Sequence, residues 1–169
     1  MKYANIKNND VSNGPGIRVS LFVSGCSHFC KGCFNQEAWD YNFGNEFNKE
    51  VTDKLINLLQ RNYINGITFL GGEPLDPRNR LEVLNIINRI KEELPDKSIW
   101  CYTGYLYENI KNEAIIKDIF NKIDVLVDGK FDISLFEYGL KFKGSKNQRI
   151  IDLKMTNLNN RVVLWKDIT

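Results

Sequence analysis

The sequence is short of several things at once, and each shortage closes a possibility. No apolar run approaches the roughly 20 residues that a membrane span requires, and nothing after Met1 resembles the apolar core of a signal peptide, which sets the expectation of a cytoplasmic protein. Charge of one sign is not in excess: 23 basic residues face 21 acidic ones, a net charge of +2. That balance gives no electrostatic case for nucleic acid or an acidic membrane as the principal partner. With 169 residues the chain falls well short of the roughly 250 of a complete eight-fold barrel. It has no internal repeat, no low-complexity tract and no break in composition marking a domain boundary, so residues 1–169 read as a single domain. Histidine is nearly missing, His28 being the only one.

What is present is a folded composition, 43% hydrophobic, and an unusual use of cysteine. Three of the four cysteines, Cys26, Cys30 and Cys33, fall within eight residues, and Cys101 stands far downstream. Such a cluster reads as a set of metal ligands in a reducing compartment rather than a disulfide framework.

Around it, extended and helical patterns alternate. Residues 17–23 are β-rich and end at Ser24-Gly25, directly before the first clustered cysteine. Residues 48–62 place Val51, Leu55, Leu58 and Leu59 at helical spacing behind a cap at Asn48. A short strand at 67–70 stops at Gly71-Gly72, and a helix follows with Asp76 as N-cap and Pro77 in its first position. Its core face is Leu81, Leu84, Ile87, Ile90 and Leu94, and Pro95 ends it. A strand at 99–102, a helix at 110–120 and a strand at 125–127 come next, with strand-like patterns at 149–153 and 161–165. Four strands alternating with helices imply parallel βαβ units, whose ligands gather beyond the carboxyl ends of the strands. Four such ends carry unusual residues: the cysteines, Gly71-Gly72-Glu73-Pro74, Tyr102-Thr103-Gly104 and Asp128-Gly129-Lys130.

The cysteine cluster admits three readings. Unrelated buried thiols seldom crowd so tightly. A Cys3His zinc site is possible by composition, since His28 lies between Cys26 and Cys30, but structural zinc ligands usually come as two separated pairs that anchor two pieces of chain. The third reading is a [4Fe–4S] cluster, ordinarily held by four thiolates. Here the loop offers three, so the fourth iron is left open to an outside ligand, or else Cys101 closes it.

The spacing Cys26-x3-Cys30-x2-Cys33 matches the cluster motif of the radical S-adenosylmethionine superfamily. The stretches Asn13-Gly14-Pro15-Gly16, Gly32-Cys33-Phe34-Asn35, Gly71-Gly72-Glu73-Pro74-Leu75, Tyr102-Thr103-Gly104-Tyr105, Asp128-Gly129-Lys130-Phe131 and Gly144-Ser145-x-Asn147-Gln148 resemble one subgroup, the activating proteins of anaerobic ribonucleoside-triphosphate reductase. The resemblance implies an α/β fold, a partial, open (β/α) barrel of mostly parallel strands, with the cluster loop at 24–35. It implies an enzyme whose cofactors are one [4Fe–4S] cluster on Cys26, Cys30 and Cys33 and S-adenosylmethionine on the open iron. Reductive cleavage there yields a radical that takes a glycine Cα hydrogen from the reductase large subunit. No side chain is then a catalytic group, and an electron donor protein is a second partner.

Within that resemblance, Gly71 and Gly72 let backbone approach the methionyl end of the ligand, and Glu73 offers an acceptor for its ammonium. The Thr103 hydroxyl is a handle for ribose or adenine. Lys130 corresponds to a lysine that contacts the ligand carboxylate in related activating enzymes. The wider superfamily usually has an aromatic residue before the third cysteine, packed on adenine; this chain has Gly32, with Phe34 beyond the cluster as the substitute. His28 is expected to pack in the cluster loop without ligating, and Trp39, Trp100 and Trp165 to serve in the core or an interface.

Overall fold

A computed structural model describes residues 1–166. Among the described residues seven strands form one mixed sheet: β1 (Lys2–Asp10), β2 (Ile17–Val23), β3 (Asn45–Glu46), β4 (Ile64–Gly71), β5 (Ser98–Tyr102), β6 (Val125–Asp128) and β7 (Arg149–Asp152). Their order is β3-β1-β2-β4-β5-β6-β7. The central strands β2, β4, β5 and β6 run parallel, as the alternating pattern predicts. Both flanks are antiparallel, so only three of the six pairings are parallel and the sheet is mixed rather than mostly parallel.

The parallel strands are buried on both faces, one of them apolar and the other carrying polar side chains among its aromatics. In β2 every residue from Arg18 to Val23 is buried, the pattern of a strand covered on both sides. One face carries Val19, Leu21, Ile67, Phe69, Ile99 and Leu126, which pack against the helices. The other carries Arg18, Ser20, Thr68, Trp100 and Val125, brought side by side by the register. Trp100 there packs with Trp165 and Phe142, the core role expected of two of the tryptophans.

Among the described residues five α-helices cover the sheet: α1 (Lys49–Leu59), α2 (Arg80–Glu93), α3 (Tyr107–Ile110), α4 (Ala114–Phe120) and α5 (Leu153–Asn159). α1 begins where the cap predicted, with the Asn48 side chain accepting from the Val51 amide at 3.0 Å. α2 corrects the sequence reading. Asp76 and Pro77 lie in a turn before it, where Asp76 Oδ1 accepts from the Arg78 amide at 2.9 Å. The helix starts only at Arg80, so Leu81 faces solvent at 61% exposure and the core face is Val83, Leu84, Ile86, Ile87 and Ile90. The single helix expected at 110–120 is two, α3 and α4, broken where Glu113 takes an extended conformation and pairs with Arg80. Among the described residues no helix is long and apolar enough to cross a membrane.

The consequence for the site is positional. The carboxyl ends of β2, β4, β5 and β6 lie on one rim, with the cysteine loop leaving β2 there.

Candidate functional site

A cavity of about 410 Å³ opens at that rim, with Cys26, Cys30 and Cys33 in its wall. Phe34, Gly71, Gly72, Glu73 and Thr103 line it as well, so most residues singled out from the sequence converge on one space. The cysteine loop is built into the sheet. Glu73 N donates to Gly25 O at 2.8 Å, Gly72 N to Val23 O at 2.7 Å, and Cys26 N to Trp39 O at 3.2 Å. Gly71 is there because the chain turns at φ +107 against the end of β2, where a Cβ would come within 2.7 Å of Val23 O.

Burial raises the Cys26 thiol to about 11 and pushes Cys30 upward too. Both therefore hold their protons until a metal displaces them. Each cysteine has a backbone amide at its sulfur: that of His28 for Cys26, of Phe131 for Cys30, and of Asn35 for Cys33, the last at 3.4 Å. Amides aimed at sulfur suit thiolates carrying charge on an iron–sulfur cluster, where such bonds tune the potential. A single zinc ion is poorly served. Among the described residues no three His, Cys, Asp or Glu side chains converge on one ion, and His28 is turned away to Glu73 at 2.7 Å. The donor set fits a cluster whose thiolates bind separate irons.

Glu73 is only 1% exposed and already saturated. Its Oε1 accepts from Leu75 N and from the Thr103 hydroxyl, both at 2.9 Å; its Oε2 accepts from Gly104 N and His28 Nε2, both at 2.7 Å. The carboxylate is thus not available to an ammonium, and the Thr103 hydroxyl is committed to it rather than to a ribose. Both residues contribute wall and backbone to the cavity.

Two further expectations change. Gly32 does not line the cavity. It adopts φ +75, and a Cβ there would lie 2.4 Å from Ile133 Cδ1, so the glycine is required by the segment that crosses the cysteine loop. Phe34, 71% exposed, stands at the mouth with Phe131 at 5.1 Å and Phe136 at 6.1 Å between ring centroids. Lys130 is exposed and outside the lining, though its charge favours the Cys30 thiolate. The cations that line the cavity are Lys7 and Lys143. Cys101 is fully buried among core residues on β5 and is no part of the cysteine set.

Residues of the matching stretches that were given no role from the sequence clasp the rim. Asn147 Nδ2 donates to Lys130 O at 2.8 Å and Gln148 Nε2 to Gly129 O at 2.9 Å, holding the segment whose Phe131 amide reaches Cys30. Ser12 and Asn13 also line the cavity, and Asp10 Oδ2 behind them accepts from Asn13 Nδ2 and from the Ser20 hydroxyl, both at 2.6 Å.

Residues 12–151 match the family model described as a 4Fe-4S single cluster domain. The anaerobic ribonucleoside-triphosphate reductase-activating protein of Enterobacteria phage T4 is 41% identical over 150 residues, covering 89% of this chain and 93% of that protein. The proteins of the same name from Vibrio cholerae and Escherichia coli K12 are 44% and 42% identical, covering 83% and 86% of this chain and 91% and 94% of theirs. With the family model spanning most of the chain and the three cysteines gathered on one cavity, this chain belongs to the 4Fe-4S single cluster family and, within it, to the anaerobic ribonucleoside-triphosphate reductase-activating proteins.

Proposed function

We propose that this chain is a radical S-adenosylmethionine enzyme that installs a glycyl radical on anaerobic ribonucleoside-triphosphate reductase. Cys26, Cys30 and Cys33 would hold one [4Fe–4S] cluster with an iron left uncapped. When bound, that cluster supplies one electron to the sulfonium of S-adenosylmethionine, breaking its C5′–S bond to give methionine and a nucleoside radical that takes the glycine hydrogen. An electron donor protein restores the cluster.

The chain's own residues bind, orient and exclude water. The turn at Gly71-Gly72 offers backbone, with Glu73 internally satisfied, so the ligand's ammonium is left to main-chain acceptors. Lys143 and Lys7 line the cavity and suit a carboxylate. The aromatic ledge of Phe34, Phe131 and Phe136 stands at the opening, where adenine or the partner's segment would pass. A cavity open at the rim of the sheet agrees with a substrate that is a loop of a larger protein, and the proposed place of action is the cytoplasm.

The observation that carries this reading is the gathering of three thiols, each with an amide at its sulfur, beside the Gly71-Gly72 turn on one cavity. Anaerobic metal and sulfide analysis tests it, followed by assay of 5′-deoxyadenosine. About four iron and four sulfide per chain are expected. One zinc with no sulfide, or a loaded cluster that never cleaves the sulfonium, overturns it.

A further inference from the structure

His28 has no part in the chemistry above, yet it is among the best anchored side chains of the rim. Its side chain is 8% exposed, and its Nε2 lies 2.7 Å from the buried Glu73 carboxylate. Because that carboxylate accepts, Nε2 is the nitrogen that donates. The ring occupies a niche left by Gly104, where a Cβ would come within 2.4 Å of its Cδ2, and it meets Tyr105 edge-on at 4.5 Å. The residue's own backbone amide is bonded to the Cys26 thiol.

The donors on Glu73 come from three separate places: the cysteine loop through His28, the turn after β4 through Leu75, and the end of β5 through Thr103 and Gly104. Only the first belongs to the loop that carries the metal ligands. We infer that His28 is a positioning residue: its bond to Glu73 locks the cysteine loop to the Gly71–Glu73 turn and the end of β5, fixing the spacing between the cluster and the subsite of the sulfonium ligand. The part concerning the ligand rests on the proposed function; the part concerning the lock does not.

Two substitutions separate the bond from the packing. Phenylalanine fills the ring niche but cannot donate to Glu73, whereas the amide of glutamine extends about as far as Nε2 and can. In the metal-free protein, amide hydrogen exchange at Gly104 and across residues 26–33 is expected to quicken about tenfold in His28→Phe, the factor carried by one hydrogen bond to a charged group, and to stay near wild type in His28→Gln. In the reconstituted protein, His28→Phe is expected to keep wild-type iron content while the dissociation constant for S-adenosylmethionine rises about tenfold, and His28→Gln to restore it.

Wild-type exchange in His28→Phe overturns the lock, whatever the protein's activity. Faster exchange with unchanged ligand affinity overturns the link to the subsite. A wild-type protein that binds no S-adenosylmethionine counts against the proposed function, and the exchange measurement then still decides on His28. Should the phenylalanine variant not fold, His28→Asn, whose amide stops short of Glu73, takes its place with the same expected exchange.

Discussion

Glu73→Gln is the smallest change that strains the rim, since it keeps shape and volume and alters only the sense of one polar group. Four donors meet the native carboxylate. A glutamine presents one oxygen and one NH2, and the NH2 must face two of those donors. Placed toward His28 and Gly104, it meets a histidine that can accept by changing tautomer, but also a backbone N–H that cannot. Placed the other way it meets the Leu75 N–H and a Thr103 hydroxyl already accepting from Tyr105 N at 3.2 Å. Either orientation leaves one backbone donor without a partner at a site 1% exposed. An unsatisfied buried donor costs about 1–3 kcal/mol, and the remaining bonds lose their charge assistance, so a total of roughly 2–4 kcal/mol is expected. In a domain of this size that lowers the melting temperature by about 4–16 °C. Urea denaturation of the metal-free, reduced protein measures it directly, and the midpoint should fall with the slope unchanged. A loss under about 0.5 kcal/mol would show that water satisfies the orphaned donor and that the carboxylate is no hub.

Alanine at Cys26, Cys30 or Cys33 should abolish cleavage of S-adenosylmethionine and lower iron content, whereas Cys101→Ala should leave iron and sulfide at the wild-type level; loss of iron in that last variant would place Cys101 in the ligand set. Burial holds the Cys101 thiol and the Tyr102 hydroxyl protonated well above their ordinary values of 9.0 and 10.0. The folded state therefore keeps protons that the unfolded chain releases, and stability of the metal-free protein is fully present below about pH 9 and is lost as pH rises further. Cys101→Ala should flatten that fall; an identical pH profile would count against it. Leu81→Lys should change stability by less than about 0.5 kcal/mol while Ile87→Ala costs roughly 2–5 kcal/mol, both read by denaturant midpoint. A large effect at Leu81 would restore the helix face expected from the sequence.

The parts of the molecule written in local pattern were legible. β2, β4, β5 and β6 announce themselves as apolar runs ending at glycine or aspartate, and the cysteine spacing locates the rim. β1 left no such trace: its polar run Asn5-Ile6-Lys7-Asn8-Asn9 has no alternation, and the strand exists because β2 offers it hydrogen bonds. Asp76-Pro77 looks like a helix start because a turn and a helix cap use the same Asx geometry. At the site, the errors share one origin. Gly32 is explained by Ile133, Glu73 by His28 and Thr103, and the clasp on Lys130 by Asn147, all contacts between residues far apart in sequence. A residue's type shows what it can offer a ligand but not whether another part of the chain has already taken the offer.

Arg18 fills the far end of the sheet face on which the cavity sits. Its side chain is wholly enclosed, with Nε donating to the Thr68 hydroxyl at 2.8 Å, Nη2 to Ile67 O at 2.7 Å and Nη1 to the Ser98 hydroxyl at 2.9 Å, beside the Trp100 ring. Burial lowers its guanidinium to about 10, yet leaves it charged at neutral pH. This plug seals the inner face of the sheet at the end away from the cysteines. With that end of the sheet face filled, the cavity opens at the cysteine rim; on the proposed function, spent fragments and a visiting segment of the partner would share that side, and the order of their departure would govern turnover.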